Sequence, residues 1–160
     1  MALLVIDESL IDSVGTSLQS DIGSFAKDLI GEGYQVVTRL ATRVDMPQGA
    51  PPDTSSATLA SFYGPWNGAV QATKNTIRAV WDTYGTQLRD VILIGHVPVP
   101  YSGILPADGH YEGHGDHQGA WATDIYYATL SAADDIWTDN LTEPNSVYPV
   151  NANYPGDGKF

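Results

Sequence analysis

The chain has 160 residues, enough for one domain with a core of its own, and 42% of them are apolar, as is ordinary for a soluble globular protein. Its charge is lopsided, with 19 acidic against 7 basic side chains and a net charge of −12, which argues against nucleic acid or an anionic membrane surface as a partner. Without cysteine it can form no disulfide, zinc–thiolate site or cysteine nucleophile.

The opening segment MALLVIDESL lacks a positively charged start, and its apolar stretch is too short for a secretory signal or a membrane span. It reads as a first strand, Leu3 to Ile6, ending at Asp7. Ser9 or Asp12 can cap a following helix, whose stripe is Ile11, Val14, Leu18, Ile22, Phe25 and Leu29, with Gly31 and Gly33 as the stop. Tyr34 to Leu40 is β-branched and aromatic, a second strand.

Residues 45–65 read as a long loop, because Pro47, Pro51, Pro52 and Pro65 break regular structure. Val70, Lys74, Ile77, Val80, Trp81 and Tyr84 suit a second helix, ended by Gly85. Val91 to Ile94 is the third strand, and its unbroken apolar run predicts a central place in the sheet. The order β-α-β-α-β over residues 1–95 predicts a parallel sheet with helices on its faces and right-handed crossovers. Residues 96–160 are then an irregular extension rich in Gly, Pro, Asp, His and Tyr, in which only Ala122 to Leu130 looks regular. The whole is expected to be one α/β domain. Its small sheet has two exposed edges, and the turn-rich ending NANYPGDGKF has no element after it. Both features suggest an excerpt of a longer protein, or edges covered by another subunit.

All four histidines fall between His96 and His117, directly after the third strand. In open α/β sheets ligands sit beyond the carboxyl ends of the strands. That rule puts Asp7 and His96 on one rim, with Arg39 or Arg43 after the second strand. Val97-Pro98-Val99-Pro100 cannot continue a central strand and carries the chain over the rim. The segment beyond it holds Asp108, His110, Glu112, His114, Asp116 and His117 among glycines that let a backbone fold around a small ion. Imidazoles with carboxylates suit zinc, manganese or iron, and carboxylates with backbone carbonyls suit calcium. The candidate metal ligands are Asp108, His110, His114, Asp116, His117 and Asp124, with calcium or zinc as the ion and no organic cofactor. The spacing matches neither HExxH nor an EF-hand loop, and a solvated polar turn is the competing reading.

Asp124 lies among apolar and aromatic residues, which predicts partial burial; a role as a helix cap is the alternative. Asn151, Asn153 and Asp157 form an oxygen-rich Gly turn, loosely like a calcium loop whose register the Pro155-Gly156 pair breaks. Asn140-Leu141-Thr142 is chemically permissive for glycosylation.

The runs VILIGHVPVPYSG (91–103) and GAWATDIYYATL (119–130) resemble gingipain-type peptidases of the caspase-like clan. Members share a strand of the form VLLIGD…P, a TDxYY segment, a turn-rich stretch and a VGR strand. Val91 to Pro100 matches the first and Thr123 to Tyr127 the second, while the VGR strand is absent. The resemblance implies a three-layer caspase-like α/β sandwich, secretion or display at the cell surface, and calcium in some members. The family's catalytic His and Cys lie further downstream, and no position here can receive the Cys. His96 replaces an Asp typical of the gingipain strand, so no catalytic role is carried onto it. The expected function is a non-catalytic gingipain-like module with a structural metal in the His/Asp loop. A metal-dependent hydrolase using that cluster, and a self-assembling filament or surface-layer subunit, stay open as alternatives.

Overall fold

In the computed structural model, which describes residues 1–13, 16–104, 115–131 and 136–160, the most enclosed element is the first strand, β1 (Ala2–Asp7), buried at every position. Its run ALLVI has no charge until Asp7, as a strand covered on both faces requires. β2 (Val36–Ala41) and β3 (Asp90–Ile94) each pair with it in parallel, giving the order β2-β1-β3. The register sets Asp7 opposite Ala41 and Ile6 opposite Ile94.

The sequence predicted β3 as the central strand; instead β1 is central and β3 is at an edge, half-exposed along its length. Both strands are unbroken apolar runs. Such a run reports covered faces, and it carries no information on whether the backbone groups along the strand's sides are paired. Among the described residues only β1 has a strand neighbour on both sides.

The chain forms two compact units. Residues 1–44 and 71–98 make the first, which contains this sheet. There α1 (Glu8–Ser13) follows β1 directly, and α2 (Thr16–Gly31) leads to β2. Leu18, Ile22 and Leu29 of α2 are half-buried, as the stripe predicts, whereas Phe25 is 39% and Ile30 57% exposed; Val14 lies outside the described residues. The helix stops at Gly33, whose φ of 91° is the left-handed value that ends helices. Tyr34 N–H donates to the Leu29 carbonyl and Gly33 N–H to the Ile30 carbonyl, so the last carbonyls are capped.

Residues 45–70 and 99–160 make the second unit. The long helix α3 (Ser56–Tyr84) gives its first half to this unit and its second half to the other. The predicted loop at 45–65 therefore ends ten residues early, and Pro65 sits inside the helix. Two signals override the proline. Asp53 accepts Ser55 N–H, and Ser55 Oγ accepts Thr58 N–H, an N-cap of the usual kind. Leu59, Tyr63, Trp66 and Val70 then recur at steps of three and four, all buried, so the face that packs starts well before Pro65. Pro65 itself is on the exposed side. Among the described residues no helix is long and apolar enough to cross a membrane.

The rest of the second unit is held by short pairings. β4 (Tyr101–Ser102) is antiparallel to β5 (Trp121–Ala122), ahead of the four-residue helix α4 (Ile125–Ala128). Glu143 and Asn153 exchange two backbone hydrogen bonds at 2.9 Å each. The ending that reads as a turn-rich appendage is packed in: Phe160 donates to the Tyr101 carbonyl and accepts from Gly103 N–H, while its ring stacks on Tyr126 at 4.4 Å.

A proline inside a helix costs a hydrogen bond and crowds the preceding turn. Pro65→Ala should raise stability by about 1–3 kcal/mol in urea unfolding; an unchanged or lower midpoint would contradict the helical assignment at that position.

Candidate functional site

The carboxyl rim of the three-stranded sheet brings together two of the residues singled out above. Asp7, the last residue of β1, is fully buried. A carboxylate taken out of water needs donors, and Asp7 finds them within two short segments. Oδ1 accepts Ser9 N–H at 2.9 Å and Ser9 Oγ–H at 2.7 Å, and Oδ2 accepts His96 N–H at 3.1 Å. Burial pushes the carboxyl up. The Ser9 hydroxyl, the N–H groups of Ser9 and His96, and the nearby Arg43 charge outweigh it and hold Asp7 below its ordinary 3.8.

Gly95 makes the His96 contact possible. Its φ is 86°, and a methyl group in place of its hydrogen would lie 2.8 Å from Asp7 Cβ and against Leu10. The exit from β3 can thus fold tightly over the end of β1 only through a glycine. His96 is exposed and reaches Asp7 through its backbone, so the rim presents an imidazole beside a structural carboxylate. Of the two arginines expected near the rim, Arg43 acts on the Asp7 charge, while Arg39 donates to the Thr38 carbonyl.

The predicted metal ligands Asp108, His110 and His114 lie outside the described residues, as does Glu112. Asp116 and His117 share one short 3-10 turn, residues 115–117, with His117 Nε2 3.9 Å from Asp116 Oδ2 and both side chains partly exposed. Asp124 is exposed rather than partly buried. It occupies the N-cap position of α4 without a side-chain capping bond, while Tyr126 and Tyr127 take the buried places. Around this single helical turn Asp124 and Ile125 face outward and Tyr126 and Tyr127 inward, so apolar neighbours in sequence do not cover Asp124. Among the described residues no three His, Asp or Glu side chains converge as an ion would need.

A second polar constellation was not foreseen. In the second unit Lys159 and Asp157 are both buried, with Nζ 2.9 Å from Oδ2 and 0% exposure on each side chain. Nζ also donates to the Ala152 carbonyl and stands 4.2 Å from the centre of the Tyr63 ring. Asp157 further accepts Tyr154 N–H at 3.0 Å and Lys159 N–H at 2.9 Å. Asp139 holds the same turn, accepting Gly156 N–H and Gly158 N–H at 2.8 and 2.7 Å. The oxygen-rich turn likened to a calcium loop therefore directs Asp157 at a lysine and at backbone donors. Asn153 Nδ2 donates to the Gly103 carbonyl.

Burial dominates this pair. It pushes Asp157 up and Lys159 down, each only partly offset by the other. Burial, with Asp157 and Tyr154 nearby, also raises the Tyr63 phenol to about 12. The Tyr63 hydroxyl and Asn153 Oδ1 are buried without a hydrogen-bond partner among the described residues. The sequence marked Asn153 and Asp157 only as part of an oxygen-rich turn, and Lys159 beside them in Gly-Asp-Gly-Lys has the pattern of many solvated loops.

The chain matches no family model, no curated protein and no solved structure.

Asp7→Asn exchanges an acceptor for a donor and removes the charge, so it should cost about 1–3 kcal/mol. Because the folded carboxyl is held below 3.8, its contribution is complete above that value and fades as pH falls through the lower folded one. Urea unfolding at stepped pH should show the deficit of Asp7→Asn at neutral pH and its narrowing in acid. A deficit of equal size at every pH would contradict the charged role.

Proposed function

We propose that the chain is a non-catalytic gingipain-like module of an exported or surface protein. In this reading its parallel sheet is the middle layer of a three-layer caspase-like sandwich. The observation that carries the proposal is the state of Asp7. The acidic group at the strand end, where α/β sheets place their ligands, spends its oxygens on Ser9 and on the His96 backbone. Ser9 Oγ–H and Ser9 N–H both donate to the same Asp7 oxygen two residues back, the pattern of a local turn anchor. The absence of cysteine from the chain supports the same reading. A divalent ion, calcium or zinc, belongs to the proposal as a structural element of the His/Asp segment, where Asp116 and His117 share one turn.

Two measurements test it. Incubation with peptide and protein substrates, with and without calcium or zinc, should give no cleavage; turnover that scales with enzyme and disappears in His96→Ala would overturn the non-catalytic reading. An ion at a hundred times its dissociation constant stabilises by about 2.7 kcal/mol, so chelation should lower the melting temperature by about 5–10 °C. An unchanged melting temperature would remove the metal from the proposal.

A self-assembling subunit is the second reading, favoured by one observation. β2 and β3 are the two edges of the sheet, and they carry the half-exposed run Val91 to Ile94 and the exposed Leu40. Edge strands of this kind template further pairing. Light scattering on the pure protein should then show growth with concentration, and a strict monomer would exclude it.

A further inference from the structure

We propose that Lys159 and Asp157 condense into an intramolecular amide, a covalent clasp formed by the folded chain itself. The geometry brings the reactants together. Lys159 Nζ is 2.9 Å from Asp157 Oδ2, one bond from the carbon it would attack, and neither side chain is exposed. Burial works against charge on both partners, which favours the free amine and the undissociated acid, the forms that can react. Water, which would reverse the reaction, is excluded by the same burial.

The surroundings act on each part of the step. The Ala152 carbonyl accepts from Nζ and fixes the amine, while the Tyr63 ring closes over it. Oδ1 accepts Lys159 N–H, a donor aimed where negative charge builds as the carbon becomes tetrahedral. Asp139, through Gly156 N–H and Gly158 N–H, holds the turn that joins the two residues. The Nζ lone pair forms a bond to Cγ. The Cγ–Oδ2 bond breaks, and Oδ2 leaves as water with one proton from the amine and the acid's own proton. No oxidant, cofactor or activated group is required. Oδ1 remains as the amide carbonyl and keeps its bond from Lys159 N–H, while the new amide N–H keeps the Ala152 carbonyl. Two buried charges disappear, and with them the desolvation cost of the pair.

Intact mass spectrometry of the purified full chain reads the outcome. The expected mass is that of the sequence less one water, and Lys159→Met and Asp157→Ala should each return to full mass. A succinimide at Asp157-Gly158 loses the same water but does not need the lysine. Full mass in the wild type, or a missing water that persists in Lys159→Met, overturns the proposal. Exhaustive acetylation of the unfolded wild-type chain gives an answer that depends on no variant folding. An amide leaves Lys159 unmodified, whereas an acetylated Lys159 overturns the clasp.

Discussion

A carboxylate removed from water must be met by donors, and that constraint organises both units of this chain. In the first unit Asp7 meets it with two backbone N–H groups and a hydroxyl, all from segments that begin where β1 and β3 end. In the second unit Asp157 meets it with two backbone N–H groups and the Lys159 ammonium. The results differ in sign. Asp7 is held below its ordinary value because its donors outweigh burial, and Asp157 is pushed above because burial outweighs its donors. At Asp157 the Lys159 charge and the N–H donors all pull the carboxyl down, and burial still outweighs them.

This contrast sorts the two clusters by what they can do. Asp7 is favoured as an anion and ties the exits of neighbouring strands together. The tie depends on Gly95, since any side chain there would collide with Asp7 and Leu10. His96 reaches the carboxylate through its backbone N–H. In the Lys159–Asp157 pair, by contrast, burial works against the charge of both partners. The pair lies among Tyr63, Ala152 and Tyr154, in a segment whose last residue stacks on Tyr126.

Much of the sheet was legible in the sequence, because strand and helix periods are written in side-chain polarity. Leu3 to Ile6, Tyr34 to Leu40 and Val91 to Ile94 each predict a strand that is present within one or two residues of its bounds. The rank of the strands was not legible, since β1 and β3 are equally apolar and only pairing distinguishes them. Pro65 misled the reading of α3, because a single breaker was weighed above the buried series Leu59, Tyr63 and Trp66 that begins before it. The rim pair Asp7 and His96 was found from topology alone, through the rule that ligands gather at strand ends. The Lys159 cluster could not be found that way. It is assembled from Tyr63, Asp139, Ala152 and Asp157, which lie far apart or in turns without a period, and its burial is a property of tertiary packing only.

The state of the Asp7 carboxyl is the point on which the anchoring role rests. A carbon-13 NMR titration with isotope-labelled aspartate, assigned by comparison with Asp7→Asn, measures it directly. The expected result is a midpoint below 3.8, with unfolding beginning as that group protonates. A midpoint at or above 3.8, with the fold intact on both sides of it, would contradict the claim that the strand-end carboxylate holds the rim together.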